Sequence, residues 1–288
     1  MINKWNFQTP SEEELHKRDQ LVAELGFSPV ICLLLVQRGI TSIEEAKKFF
    51  KPSLNDLHDP FLMPDMDKAV RRLNKALGNK EKILIYGDYD VDGTTAVSLV
   101  FKYLRPYSST LDFYIPDRYD EGYGISYKGI DYAAENGVSL VISLDCGIKA
   151  IEKIEYAKEK GIDFIICDHH MPDTTLPDAV AVLDAKRSDS IYPYEHLSGC
   201  GVGFKFMQAF AKSNNFPFSD LEKLLELTAV SIASDIVPIT GENRILAYYG
   251  LKQLNSNPSL GLKGIIDICG LTRSEERRVG KECLRLCR

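Results

Sequence analysis

Acidic side chains concentrate in the segment Tyr86–Gly93, which reads YGDYDVDG. Its three carboxylates, Asp88, Asp90 and Asp92, occupy alternating positions just after an apolar run. Like charges this close repel one another unless a cation or basic groups neutralise them. Because oxygen-rich clusters suit Mg2+ or Mn2+, the segment predicts a divalent-cation site. A calcium-like or merely solvated loop is the alternative interpretation.

A histidine pair follows another apolar run, in the sequence Asp168-His169-His170. A lone histidine on an apolar face is more often a core residue than a ligand. A histidine pair beside a carboxylate instead favours contact with a metal ion or a phosphate, because imidazole is a common metal ligand and carries a charge when protonated. This segment is the second candidate site.

Two further carboxylates lie next to or within apolar sequence. Asp145 follows an apolar run and precedes a glycine turn, in SLDCG. Asp235 stands inside the nearly apolar stretch Ala229–Ile239, AVSIASDIVPI. A carboxylate buried in such a stretch is costly unless it is paired or bound to a metal. If the stretch is buried, Asp235 therefore needs a cationic partner.

The elements that must position these residues follow from the hydrophobic pattern. From Lys82 onward, short apolar runs alternate with helical segments. The runs are Ile83–Tyr86, Leu111–Ile115, Leu140–Leu144, Phe164–Cys167 and Val180–Leu183. The helical segments between them are Thr94–Tyr103, Lys128–Glu135 and Ala150–Lys160. This alternation predicts an α/β fold, a doubly wound parallel five-stranded sheet with helices on both faces.

Every predicted strand ends in or near an aspartate. These residues are Asp88, Asp117, Asp145, Asp168 and Asp184. In open parallel sheets the carboxyl ends of the strands form the ligand crevice. Aspartate is also a favoured helix N-cap, so we interpret Asp117 and Asp184 as structural residues.

Helical sequence flanks the predicted sheet. Capping boxes that begin near Ser11 and Thr41, and apolar periodicity over Met66–Leu77, predict three helices before it. After Gly199, helices are predicted at Phe204–Ala211, Leu221–Ser234 and Asn243–Leu254. We therefore expect an N-terminal helical region over residues 1–77 and an α/β domain that carries the acidic motifs over residues 78–272.

The last sixteen residues, 273–288, differ from the rest of the chain. The stretch RSEERRVGKEC resembles the translation of a sequencing-adaptor oligonucleotide. A genuine basic helix end is the alternative. The adaptor interpretation predicts a non-native tail and a natural protein that continues past Thr272.

Composition bounds the class of protein. The 288 residues are 44% hydrophobic and 26% charged, which is typical of a soluble globular chain. There is no apolar run of roughly 18–20 residues and no basic segment followed by an apolar one at the N-terminus, so we expect a cytoplasmic protein. Seven cysteines without CxxC pairs indicate reduced thiols. The net charge of −6 argues against gripping nucleic acid by bulk charge, but a nuclease with an acidic metal cluster remains compatible with it.

Four ordered motifs together resemble one known family. They are GDYDVDG at Gly87–Gly93, LDCG at Leu144–Gly147, DHH at Asp168–His170 and SDIVP at Ser234–Pro238. This combination resembles the DHH phosphoesterase superfamily and, within it, the RecJ group of single-stranded-DNA exonucleases. Shorter matches support the RecJ group, and they are Asp59–Phe61, Ile115-Pro116, Arg118, Glu121–Gly124, Tyr192-Pro193 and Gly199–Lys205. The resemblance runs from about Arg38 to Leu271.

The resemblance implies two divalent cations, Mn2+ or Mg2+, and a set of residues around them. Carried over position by position, the metal ligands are Asp88, Asp90, Asp145, His169 and Asp235. Asp145 is the candidate to bridge both ions, whereas Asp92 and Asp168 are expected to be supporting acids. His170 is expected to contact the scissile phosphate, and Arg118 or Lys205 to hold nearby phosphates. Family members tend to have Asn-Pro-Lys after the fifth strand, where this chain has Asp184-Ala-Lys186.

The function that the resemblance implies is hydrolysis of single-stranded DNA. Such enzymes degrade the strand from its 5′ end to 5′-mononucleotides, in recombination and repair, and possible partners are a single-strand-binding protein or a helicase. The RecJ group has further C-terminal domains, which would lie beyond Leu271. Three alternatives stay open at this point: a DHH phosphodiesterase for short oligonucleotides or cyclic dinucleotides, an inactive truncated fragment, and a scaffold that is not an enzyme.

Overall fold

The computed structural model describes residues 9–270, so the predicted tail over residues 273–288 lies outside the described residues. The described chain forms two compact units, residues 9–56 and residues 57–270. The helix predicted over Met66–Leu77 is present as Met66–Gly78 and belongs to the second unit, whereas the sequence pattern groups it with the N-terminal helices.

The first unit is helical, as predicted. Its helices are α1 (Glu12–Leu25), α2 (Pro29–Val36) and α3 (Ile43–Phe50), followed by a single 3-10 turn at Leu54–Asp56. Ser11 and Ser42 close the expected capping boxes at the start of α1 and α3. The side chains that fill the small core between the helices are Leu21, Cys32, Leu35, Val36 and Ala46.

The second unit contains the predicted parallel sheet. Its strands are β1 (Lys82–Gly87), β2 (Leu111–Tyr114), β3 (Val138–Leu144), β4 (Asp163–Cys167) and β5 (Ala181–Leu183). The strand order is β2-β1-β3-β4-β5 and every pairing is parallel. The order reverses between β1 and β3, and ligands of open α/β sheets bind outside the carboxyl ends of the strands at such a switch point.

Helices cover both faces of this sheet, which confirms the doubly wound prediction. The helices of this unit are α4 (Met66–Gly78), α5 (Val91–Leu104), α6 (Tyr127–Glu135), α7 (Ile151–Glu159), α8 (Gly199–Asn214), α9 (Phe218–Glu222), α10 (Leu225–Ser234), α11 (Gly241–Ser256) and α12 (Leu260–Ile268). One face packs on α6 and α7, and the other on α4, α5 and α8. Within residues 9–270, no helix combines the length and apolarity that crossing a membrane requires.

Two helical predictions differ from the structure, and two helices were not predicted. The helix predicted over Leu221–Ser234 is broken in two, with α9 ending at Glu222 and α10 beginning at Leu225. Helix α8 begins five residues before the predicted Phe204, because the Ser198 hydroxyl accepts the Gly201 N–H and caps the helix there. The two helices that were not predicted are α2 and α12.

Candidate metal centre

The carboxyl ends of three neighbouring strands bring the sequence motifs together. Asp88 follows β1, Asp145 follows β3 and Asp168 follows β4, and all three side chains are buried. Asp145 has a φ of +60°, a left-handed conformation that aspartate tolerates better than most residues. Its backbone N–H donates to the Cys167 carbonyl, which fixes the turn after β3 against β4.

His169 lies at the centre of the acidic side chains. Its Nε2 atom is 3.1 Å from Asp145 Oδ1, 3.6 Å from Asp235 Oδ2 and 3.7 Å from Asp92 Oδ2. Two sets of three residues could each hold a metal ion, because within each set the ligand atoms lie within 4.8 Å of one another. The first set is Asp145, His169 and His170, and the second is Asp92, His169 and Asp235. Both sets contain His169, which places this residue at the centre of the candidate metal site.

Several buried atoms of this cluster make no hydrogen bond within the described chain. They are Asp88 Oδ2, Asp145 Oδ1 and both ring nitrogens of His169. Buried polar atoms are nearly always hydrogen-bonded, and exceptions need an explanation such as an ion. Carboxylate oxygens beside an imidazole are a donor set that Mn2+ accepts. The residues present therefore fit a divalent metal.

The electrostatics of the cluster point the same way. Burial, and then the nearby charges of Asp92, Asp90 and Asp168, raise the pKa of Asp145 to about 11. Burial likewise raises the pKa values of Asp88 and Asp92. A carboxyl with a pKa this high is protonated at neutral pH unless a cation compensates its charge.

Asp92 also holds a helix in place. Its carboxylate accepts the N–H groups of Gly199 at 2.7 Å and Cys200 at 2.8 Å, and the Ser231 hydroxyl at 2.7 Å. A Cβ atom on Gly199 would lie 2.6 Å from the Asp145 side chain, so the first turn of α8 packs directly on the cluster. Asp92 is thus an anchor for α8 that also lies within reach of His169.

Asp90 is exposed and caps α5 by accepting the Gly93 N–H at 2.9 Å. It is close enough to the buried acids for its charge to raise the pKa values of Asp88 and Asp145. Asp90 therefore combines the structural role of an N-cap with a place at the rim of the cluster.

Asp168 orients the second histidine. Its carboxylate accepts the backbone N–H groups of Ile148, His169 and His170 and lies 2.7 Å from His170 Nδ1. Against the effect of burial, these bonds lower the pKa of Asp168, and the hydrogen bond to Asp168 raises the pKa of His170. His170 Nε2 lies 3.2 Å from Tyr123 Oη, which donates to the Asp145 carbonyl at 3.1 Å.

Asp235 was expected to need a cationic partner if its apolar stretch were buried, but the stretch is not buried around Asp235. Its side chain is 31% exposed at the end of α10. The apolar neighbours Ile236 and Ile239 are 77% and 53% exposed; they lie beyond the end of α10 at Ser234, and Ile236 has a positive φ. Asp235 nevertheless reaches His169 from this exposed position.

The two predicted phosphate-binding cations lie in different environments. The exposed Arg118 guanidinium lies 5.1 Å from the ring centre of Tyr89. In the sequence, Tyr89 stands between Asp88 and Asp90 of the first motif. Lys205 is fully buried, and its ammonium lies 3.0 Å from Glu242 Oε1 and donates to the His58 carbonyl at 2.7 Å. Because the ammonium is buried and two of its donors are committed inside the protein, the structure offers no support for the predicted phosphate contact of Lys205.

The last two strand-end aspartates are bound into turns. Asp117 accepts the N–H groups of Tyr119 and Asp120 and is exposed. Asp184 is buried and accepts the Lys186 N–H at 2.7 Å, and burial raises its pKa to about 7. The structural interpretation of both residues is consistent with these contacts.

Three residues at the centre had no role in the sequence-based prediction: Tyr123, Gly199 and Ser231. Tyr123 and Gly199 lie inside matched segments, Glu121–Gly124 and Gly199–Lys205, so the motifs marked them without revealing their contacts. Ser231 lies in α10, where an apolar helical pattern gives no signal of its bond to Asp92.

Comparison with known proteins identifies the class. Residues 82–232 match the DHH family, N-terminal domain, and the chain belongs to the DHH family. It is 39% identical, over 96% of its length, to the single-stranded-DNA-specific exonuclease RecJ of Bacillus subtilis (strain 168), and 31% identical, over 88%, to that of Escherichia coli (strain K12). It spans only 34% and 45% of these two relatives.

Solved structures show the same fold. An exonuclease RecJ bound to manganese matches 78% of this chain and 56% of its own, with a TM-score of 0.69 and 28% identity. RecJ in complex with Mn2+ from Thermus thermophilus matches 91% of this chain and 37% of its own, with a TM-score of 0.76 and 25% identity.

Proposed function

We propose that this chain is the core of a metal-dependent exonuclease that hydrolyses single-stranded DNA in the 5′→3′ direction and releases 5′-mononucleotides. The observation that carries the proposal is the set of buried, unbonded ligand atoms of Asp88, Asp145 and His169 at the carboxyl ends of adjacent strands. Similarity to exonucleases named for single-stranded DNA supports the choice of substrate.

The proposed cofactors are two divalent cations, Mn2+ or Mg2+. Their ligands would be Asp88, Asp90, Asp145, His169 and Asp235, with Asp145 between the two ions and with Asp92 and Asp168 as supporting acids. Bound there, the cations would supply a water of lowered pKa and stabilise charge on the phosphoryl oxygens. The unbonded carboxylate and imidazole atoms, and the Mn2+ of the similar solved structures, support this assignment.

Two side chains of the cluster rim would handle the phosphates. His170, 43% exposed and oriented by Asp168, would share its Nε2–H between Tyr123 Oη, 3.2 Å away, and an oxygen of the scissile phosphate, where negative charge develops. Arg118, exposed beside Tyr89, would hold a neighbouring phosphate through its planar set of donors.

The wider role follows from the same proposal. We assign catalysis to residues 78–272 and a supporting role to the helical residues 1–77. Cytoplasmic DNA repair and recombination, with a single-strand-binding protein or a helicase as partner, would supply single strands to such an enzyme. These assignments rest on the similarity to the RecJ exonucleases.

The test is nucleotide release from a 5′-phosphorylated single strand, with Mn2+ or with a chelator, compared with the Asp145→Asn variant. We expect metal-dependent release of 5′-mononucleotides by the wild type and a loss of at least about 1000-fold in the variant, because a two-metal site without its shared carboxylate loses water activation and charge stabilisation together. A dinucleotide substrate, which needs little grip, is assayed in parallel. Absence of metal-dependent hydrolysis of both substrates would overturn the proposal.

A further inference from the structure

The loop between β2 and α6, residues 117–126, touches the metal centre without belonging to its ligand set. It contains the Glu121–Gly124 motif, EGYG, and it also carries Arg118. The motif's tyrosine and last glycine contact the cluster, but its glutamate does not.

The Glu121 carboxylate joins the two ends of this loop. Its oxygens accept the Tyr114 hydroxyl at 3.0 and 2.9 Å, and Oε1 accepts the Asp117 N–H at 2.9 Å. At the other end of the loop, Oε2 accepts the Ser126 hydroxyl. Against the effect of burial, these hydrogen bonds lower the pKa of Glu121. An ionised carboxylate is suited to this position because every partner is a donor.

The same network ties the loop to β1. The Ser126 N–H donates to Tyr86 Oη at 3.1 Å, and Tyr86 Oη donates to the Gly124 carbonyl at 2.9 Å. Tyr86 lies two residues before Asp88 on the chain. The Ser126 hydroxyl also accepts the Gly129 N–H at 2.9 Å and so begins α6. Strand, loop and helix are therefore held by one set of bonds.

The loop held in this way makes two contacts at the metal centre. The Gly124 N–H donates to Asp88 Oδ1 at 3.0 Å, in a backbone conformation with φ of +82° that favours glycine. Tyr123 Oη contacts both the Asp145 carbonyl and His170 Nε2. Each contact fixes the orientation of a side chain that the proposed function uses.

We infer that Glu121 is a positioning residue: by closing the 117–126 loop, it aims the Gly124 N–H at Asp88 and the Tyr123 hydroxyl at His170. The hydrogen-bond partners of Glu121 are Tyr114, Asp117 and Ser126, none of which belongs to the ligand cluster. The consequence for the reaction rests on the proposed function, whereas the consequence for the loop and for metal affinity does not.

The test compares Glu121→Gln with Asp120→Asn in the full chain. Both changes remove one negative charge from the same loop. The Asp120 carboxylate, however, is exposed, and its ion pair with Lys128 is long, at 3.8 Å. Both carboxylate oxygens of Glu121 accept hydrogen bonds from the loop, whereas the glutamine side chain has only one oxygen that can accept them. In Glu121→Gln we expect faster hydrogen exchange of the Gly124 amide, about tenfold weaker Mn2+ binding by calorimetry, and a fall in kcat of about 10- to 100-fold that exceeds the change in KM.

Asp120→Asn should match the wild type within about twofold in each measurement, as expected for an exposed charge. Equal exchange and equal Mn2+ affinity in the two variants would overturn the inference. If Glu121→Gln does not fold, Tyr114→Phe removes one donor to Glu121 and should shift exchange and affinity in the same direction by less. A wild type that hydrolyses nothing would refute the proposed function, while exchange and Mn2+ affinity would still decide the role of Glu121.

Discussion

The Nε2 atom of His169 has three carboxylates between 3.1 and 3.7 Å from it, those of Asp145, Asp235 and Asp92. A neutral imidazole donates a single hydrogen bond, so it cannot satisfy three acids. A divalent cation bound among these oxygens and the ring nitrogen can satisfy all of them. At the scale of single residues, the arrangement is therefore better explained by metal ligation than by hydrogen bonding.

The protonation of Asp145 predicts how pH acts on the metal-free protein. Its pKa of about 11 lies above the unfolded value of about 3.9, so between these values the folded protein keeps a proton that the unfolded chain releases. The free energy of unfolding in chelator should therefore fall as pH rises from 5 to 8, by at most about 1.4 kcal/mol per pH unit for one proton. Urea unfolding at several pH values measures this slope.

Asp145→Asn is the control for this prediction, because the amide holds no titrating proton. Its slope over the same pH range should be flatter than that of the wild type. Equal slopes in the two proteins would show that another group dominates the titration. Saturating Mn2+ should also flatten or reverse the slope in the wild type, because metal ligands bind in their deprotonated form.

At the scale of elements, the site depends on how closely α8 approaches the end of β3. Asp92 binds the first N–H groups of α8, and Gly199 leaves no room for a side chain beside Asp145. The helix start and the metal centre are thus built from the same atoms. Together with the Ser198 cap, the bonds to Asp92 explain why α8 begins at Gly199. The predicted start at Phe204 rested on apolar periodicity, which begins later in the sequence.

Gly199→Ala tests this approach. The added Cβ atom would lie 2.6 Å from the buried Asp145 side chain, so either the helix or the carboxylate must move. We expect Mn2+ affinity to fall by about 10- to 100-fold, as for other changes that displace a ligand. Gly264→Ala is the matched control, because Gly264 lies in α12 with open space around it and alanine there should stabilise the helix by about 0.5–1 kcal/mol. Unchanged Mn2+ affinity in Gly199→Ala would contradict the proposed packing.

The sheet could be predicted from sequence because each strand is a short apolar run followed by an aspartate. The same pattern predicted Asp88, Asp145 and Asp168 at one edge, since parallel strands share their carboxyl ends. Partners far apart in the chain could not be predicted, because local patterns do not encode them. Glu242 is 37 residues from the lysine that it neutralises, and Ser231 is 139 residues from Asp92.

At the scale of the whole molecule, a buried ion pair ties together segments distant in sequence. Lys205 in α8 pairs with Glu242 in α11, and Glu242 accepts the His58 N–H at 2.9 Å and the Tyr192 hydroxyl. Burial lowers the pKa of Lys205, and the charge of Glu242 opposes this effect. The matched segments that contain Tyr192 and Lys205 thus meet in a buried structural network.

Lys205→Met separates the structural role from a phosphate-binding role. Methionine fills a similar volume but leaves the Glu242 carboxylate buried without its cation, which should cost about 3–5 kcal/mol of unfolding free energy in urea. Adding Glu242→Gln removes the unpaired charge while keeping an acceptor for the His58 N–H and the Tyr192 hydroxyl, so the double variant should recover a large part of this loss. Mn2+ affinity of the folded single variant should match the wild type. A stability change below about 1 kcal/mol, together with a raised KM for DNA, would instead place Lys205 at the substrate.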